Sequence, residues 1–142
     1  MRHFADQRSG HVVVRMDPGD SVLESFEQVI AEAGITDGAV VSAFGTLSRC
    51  HLHIVTTMDF PAVEEFIVYE EPLELLSITG VIADSSPHLH FTVSDGRRAF
   101  GGHLERDNVV LYTAEAVIAT WGAPGLVRKP DQWGIPRLEP KT

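Results

Sequence analysis

Only one stretch of this chain repeats its apolar residues at helical spacing, and that limits the fold more than any other feature. Val22, Phe26, Val29, Ile30 and Ala33 fall on one stripe, with Glu24, Glu27, Gln28 and Glu32 mostly on the other side. Asp17-Pro18-Gly19-Asp20 precedes the stripe as a turn, and Asp20 or Ser21 can accept from the first free N–H groups of the helix. Gly34 stands where a helix stop calls for a left-handed residue. Everything else reads as strand or turn.

His11 to Arg15 reads as a first strand. After the helix, Gly38 to Phe44 is short and apolar, Ser48 to Thr56 alternates, and Val63 to Glu70 alternates less cleanly. Leu73 to Ala83 is a long run in which Gly80 predicts a bend or bulge. Val109 to Thr120 is mostly apolar, with Glu115 its lone charged residue. A carboxylate there needs a partner or water. It can pair with Arg49, face a metal-bound water, or lie on a solvated face. From Gly122 onward, Pro124, Pro130, Pro136 and Pro140 predict no regular element, while Trp121 and Trp133 predict a tail that packs down. The expected organisation is one domain over 8–121 with a Pro-rich tail, 122–142, packed on it. One early helix followed by strands is an α+β pattern with a largely antiparallel sheet. Its edges, and the face that one helix cannot cover, predict a closed homo-oligomer.

Three histidines supply the candidate chemistry. In Pro87-His88-Leu89-His90-Phe91-Thr92-Val93, strand alternation points His88 and His90 one way and Leu89, Phe91 and Val93 the other. Asp95-Gly96 is a hairpin signal that would fold Arg98 to Leu104 back and bring His103 beside the pair. Three neutral imidazoles on one patch of sheet suit zinc or a similar divalent ion and leave a coordination position open. The competing reading is three solvated polar residues in a chain with seven histidines. Gly101-Gly102 weakens a strand and marks a bulge, a kink, or a close approach of something to the backbone. His51 and His53 share a face of another strand and read as an exposed rim rather than a second site.

The balance of 11 Lys and Arg against 20 Asp and Glu gives a net charge of −9. Duplex DNA is held mainly by phosphate neutralisation, so this field opposes tight DNA binding. Arg97-Arg98 and the tail residues Arg128, Lys129, Arg137 and Lys141 are too sparse for a nucleic-acid footprint. No apolar run is long enough to span a membrane, and Met1 to Gln7 lacks the apolar segment of a signal peptide. The single cysteine, Cys50, excludes an internal disulfide and fits a reducing cytoplasm; a buried, inert thiol is the expectation.

Several segments together resemble the PPC domain, the plants and prokaryotes conserved domain. They are Gly10-His11-Val12-Val13-Val14-Arg15-Met16-Asp17-Pro18-Gly19-Asp20, Val41-Ser42-Ala43-Phe44-Gly45-Thr46-Leu47-Ser48-Arg49 and Pro72-Leu73-Glu74-Leu75-Leu76-Ser77-Ile78-Thr79-Gly80, then His88 to Asp95, Phe100-Gly101-Gly102-His103-Leu104 and Thr113-Ala114-Glu115. They occur in the family's order and cover residues 10 to about 120. The resemblance implies an α+β domain assembling as a homotrimer. For bacterial and archaeal relatives it implies a metal, usually zinc, on three histidines, which fall here on His88, His90 and His103. In plants the domain follows AT-hook segments, the origin of the family's DNA-binding label. No Arg-Gly-Arg core occurs here, and Pro72 stands where plant members carry an arginine in their interaction motif. Both departures weaken transfer of the plant function.

Two kinds of function follow. One is a metal-dependent enzyme on a small molecule at a subunit boundary, with Glu115 as general acid or base and Arg49 holding a substrate carboxylate. The other is a regulatory or binding module in which the metal is structural or ligand-sensing and the partner is DNA or a protein, the acidic surface arguing against duplex DNA but not against a protein. A third reading is a scaffold with incidental histidines. His88-X-His90 followed by Asp95 and Gly102 approximates a cupin metal motif, but an aspartate stands where that motif wants glutamate, and the early helix disfavours that fold.

Overall fold

The structure, a computed structural model, describes residues 1–6, 10–122 and 125–141. It has one helix, α1 (Val22–Glu32), and a main sheet of eight strands: β1 (Arg2–Asp6), β2 (His11–Met16), β3 (Gly38–Val55), β4 (Glu64–Tyr69), β5 (Leu73–Ala83), β6 (Ser86–Ser94), β7 (Ala99–Leu104) and β8 (Val109–Thr120). Val22, Phe26, Val29 and Ile30 of α1 are buried, as the stripe requires. Gly34, at φ +64°, ends the helix in a Schellman pattern: its N–H reaches the Ala31 carbonyl and the Ile35 N–H the Ile30 carbonyl. The N-terminus departs from expectation. Ser21 is the N-cap but its side chain makes no capping bond, and Asp20 instead accepts from the Asp17 N–H and pairs with the Met1 amino group. A strand end supplies the cap, because the Val22 N–H donates to the Asn108 carbonyl at 2.8 Å.

All pairings are antiparallel, in the order β1-β2-β8-β3-β5-β6-β7. β3 runs 18 residues where sequence reading expected two strands. Register shifts near Val40, Gly45 and Leu47 absorb the irregular stretch, so pairing with β8 continues through residues 45–47, which lie between the two expected strands. Its first part lies between β8 and β5, while Cys50 to Val55 pairs with β4. At Leu52 and His53 the strand also meets Leu104 and His103 of β7. That short seam closes β3, β5, β6 and β7 into a ring, with Leu52, Ile78, Ile82, Leu89 and Leu104 buried in the core. Each such side chain contributes on the order of 1.5–3 kcal/mol by leaving water. The bulge expected at Gly80 falls instead between Leu75 and Ser77, while Gly80 stays paired and admits the His88 carbonyl where a Cβ would collide.

The Pro-rich tail also differs from expectation. Leu126–Pro130 (β9) and Pro136–Pro140 (β10) form a separate two-stranded hairpin. Pro130, Pro136 and Pro140 all stand at strand ends, where a missing N–H disturbs the ladder least. Pro124 lies outside the described residues. No helix among the described residues is long and apolar enough to cross a membrane.

Candidate metal centre

The alternation in β6 holds. Leu89, Phe91 and Val93 are buried, while His88 and His90 face outward from the ring and stack with 5.6 Å between centroids. The Asp95 carboxylate accepts from the Arg97 and Arg98 N–H groups, closing the β6–β7 hairpin. β7 then returns with His103 directly opposite His90. His103 lies 5.4 Å from His90 and 5.0 Å from His88, ring centre to ring centre. The three histidines named from sequence therefore converge.

A fourth joins them. His53 pairs with His103 across the seam and stacks on it at 4.4 Å with 23° between planes. His53, His103 and His90 thus form one row across three neighbouring strands. Alternation alone places His53 on an exposed rim; it belongs to the cluster because ring closure sets β7 beside β3, a contact that alternation does not encode. Gly101 and Gly102 allow that closure. A Cβ on Gly102 would collide with the His53 carbonyl oxygen, and one on Gly101 with that of Phe91. The double glycine serves a close approach of backbone to backbone.

Glu105 lies beneath the row. Its Oε1 takes hydrogen bonds from Nδ1 of His53 at 2.6 Å and Nδ1 of His103 at 2.8 Å. Burial opposes ionisation of this carboxyl, but the two histidine hydrogen bonds outweigh it and hold Glu105 below the usual carboxylate range. Both imidazoles thus meet Glu105 through Nδ1 and turn Nε2 away from it, and Nε2 of His53 lies 3.7 Å from Oε1 of Glu64. Burial also lowers the basicity of His88 and His90, reinforced by His103 and, at His88, by Arg128. Neutral imidazole is the form that binds metal. His53, His103 and Glu105 offer one ligand atom each, all within 4.8 Å of one another, so this group could hold a metal ion.

Asn108, fully buried, fixes the register. Its Oδ1 accepts from the His51 N–H at 2.9 Å, while Nδ2 donates to the His51 and Glu105 carbonyls at 2.8 and 2.7 Å. Neither Glu105 nor Asn108 was identified from sequence. Glu105 carried a usable signal, since it lies two residues after His103 on the same strand path. Arg49 and Glu115 sit apart from the cluster. The Arg49 guanidinium pairs with Glu70, and Glu115 is exposed on β8 opposite Arg15 and Phe44. No hydrogen bond or ion pair among the described residues joins either to the histidines or to the other. A cleft of about 550 Å³ is bordered by His3, His11, Glu32 and Trp121 and by none of the four clustered histidines.

A curled antiparallel sheet with one helix and outward-facing histidines at its seam defines the class of fold, and the comparisons give the family. The chain belongs to the Plants and Prokaryotes Conserved (PCC) domain family, whose model matches residues 4–122. It is similar to the bifunctional protein GlmU of Synechococcus sp. (strain JA-2-3B'a(2-13)), 32% identical over 120 residues, which are 83% of this chain and 18% of that protein. The chain thus spans less than a fifth of that relative. Its fold is similar to that of a Bacteroides thetaiotaomicron protein provisionally described as DNA-binding, with a TM-score of 0.85, 17% identity and coverage of 97% of this chain and 96% of that one. It is also similar to AF0104 of Archaeoglobus fulgidus, described as a metal-containing protein, with a TM-score of 0.73, 23% identity and coverage of 87% and 88%.

Proposed function

We propose that this protein binds a divalent metal, zinc or a similar ion, on His88, His90 and His103, and uses it to bind or transform a small molecule. The observation that carries this reading is the convergence of these rings with a carboxylate behind His103. A carboxylate on Nδ1 orients an imidazole and raises its strength as a ligand through Nε2. In this reading Glu105 is that orienting group for His103 and His53, rather than a ligand itself. An ion so held, with a position open, polarises a carbonyl or lowers the pKa of bound water. The metal-containing relative in Archaeoglobus supports the same direction.

The working unit in this proposal is a homotrimer in a reducing cytoplasm. Val13, Val41, Phe44 and Tyr112, on β2, β3 and β8, are large exposed apolar side chains in a region that α1 leaves open. Burying them against further copies removes that apolar surface from water. Glu115 lies beside Phe44 in this patch, so Glu115 and Arg49 would contribute to chemistry only at a subunit boundary. A duplex-DNA role is disfavoured by the net charge of −9.

The test is elemental analysis of chelator-free protein. Wild type and His3→Ala should carry metal, His90→Ala should lose it, and His53→Ala should retain most of it. Equal retention in His90→Ala and His3→Ala would end the proposal. Loss in His53→Ala with retention in His90→Ala would move the ion to His53, His103 and Glu105. Mass in solution should be near three times 15.6 kDa; a monomer contradicts the trimer.

A further inference from the structure

The C-terminal hairpin brings one cation up to the histidine face. Arg128 of β9 donates from Nη2 to the Val81 carbonyl at 2.8 Å and from Nη1 to the Ser86 carbonyl at 3.1 Å. Val81 is the register partner of His88, and Ser86 lies two residues before it. The guanidinium therefore stands within about one residue pair of His88. The hairpin is held on both sides of that point. Toward its base, the Leu126 N–H donates to Asp37 at 2.7 Å and Lys141 pairs with Asp84 at 2.5 Å. At its tip, Trp133 packs on Phe60 with 5.0 Å between centroids.

Among the described residues Arg128 has no carboxylate partner. Its two carbonyl partners use two of the five guanidinium N–H donors. Arg15, Arg49, Arg98, Arg106 and Arg137 each pair with a carboxylate, whereas among the described residues none lies within 4.0 Å of Arg2, Arg97 or Arg128, and of these three only Arg128 is half-buried. A half-buried guanidinium beside imidazoles that hold a dication is repelled by that dication, and an oxyanion between them relieves both charges. The geometry points to Arg128 as a ligand-binding residue that takes the oxyanion end, carboxylate or phosphate, of a small molecule bound at the metal. Arg128 lies beyond the residues matched by the family model. The inference rests on the metal reading above.

The test uses the whole chain loaded with cobalt(II). Cobalt content is measured, and the visible bands are followed during titration with pyruvate, methylphosphonate and the neutral analogue pyruvamide. Arg128→Gln should keep its cobalt yet bind pyruvate or methylphosphonate about 10-fold or more weakly, a difference of about 1.4 kcal/mol. Arg128→Lys should fall between, and pyruvamide should bind all three proteins alike. The probe whose affinity depends on Arg128 identifies the anion class. Equal oxyanion affinity in wild type and Arg128→Gln overturns the inference, as does no response of wild type to either oxyanion. A parallel loss for pyruvamide also overturns it, leaving Arg128 as an anchor of the hairpin alone. Absence of cobalt from wild type overturns the metal reading and this inference with it.

Discussion

β6 and β3 each carry a His-X-His pair, and the fold treats the two pairs differently. His88 and His90 both face outward and stack on each other. His51 and His53 also share a face, yet they part company. His53 stacks on His103 and bonds Glu105, while Nδ1 of His51 faces the Arg106 carbonyl at 2.9 Å. The cause is where β7 leaves β3. Pairing covers Leu52 and His53 and ends with the Glu105 N–H on the His51 carbonyl at 3.3 Å, after which the neighbouring chain enters the turn to β8, with Asp107 at φ +66°. Alternation decides which way a histidine points; the reach of the next strand decides what it meets.

The most severe way to break this contrast is to open the seam. Gly102→Val should cost about 3 kcal/mol or more in urea unfolding, because the His53 backbone carbonyl in its way cannot rotate aside. Gly122→Ala, with nothing within 4 Å of the added methyl, should stay within about 0.5 kcal/mol of wild type. A sharper comparison uses the carboxylate. Glu105→Gln should weaken metal binding by about 10- to 100-fold in competition with a chelating dye. His51→Gln should leave that affinity within about threefold, as expected for a ring outside the orienting hydrogen bonds.

The smallest effect is on pH dependence. Folding holds His88 and His90 below their ordinary basicity, mainly by burial, so the unfolded chain binds more protons as the medium acidifies. Metal-free protein should therefore lose stability as pH falls from about 6.5 through their lowered folded values, and show no such loss above that range. Glu105, also held low, adds a loss of the same sign further into acid. Thermal melts of metal-free wild type should show a steeper fall below about pH 6.5 than melts of the His88→Gln/His90→Gln variant. Equal slopes would mean that these two rings titrate alike in the folded and unfolded chain.

The helix, the strand faces and the β6–β7 hairpin were legible because each depends on local periodicity or turn chemistry. So was the convergence of His88, His90 and His103, which needs only one hairpin. His53 and Asn108 were not, since their roles depend on residues fifty or more positions away meeting across the seam. The prolines of the tail misled for a related reason. A proline forbids a ladder donor at one position, but a strand that begins or ends on it loses little, and only the pairing partner reveals where the ends fall.

Cys50 gives this architecture its own stopwatch. It is the chain's only thiol, it lies two residues from Leu52 at the seam, and it has no exposed surface. Burial pushes its pKa up to about 11, so at neutral pH almost none of it is thiolate even before access is considered. A thiol reagent can therefore mark Cys50 only in molecules that have opened. The rate of colour development with such a reagent would count those openings, and an ion that stitched His103 into place should slow it.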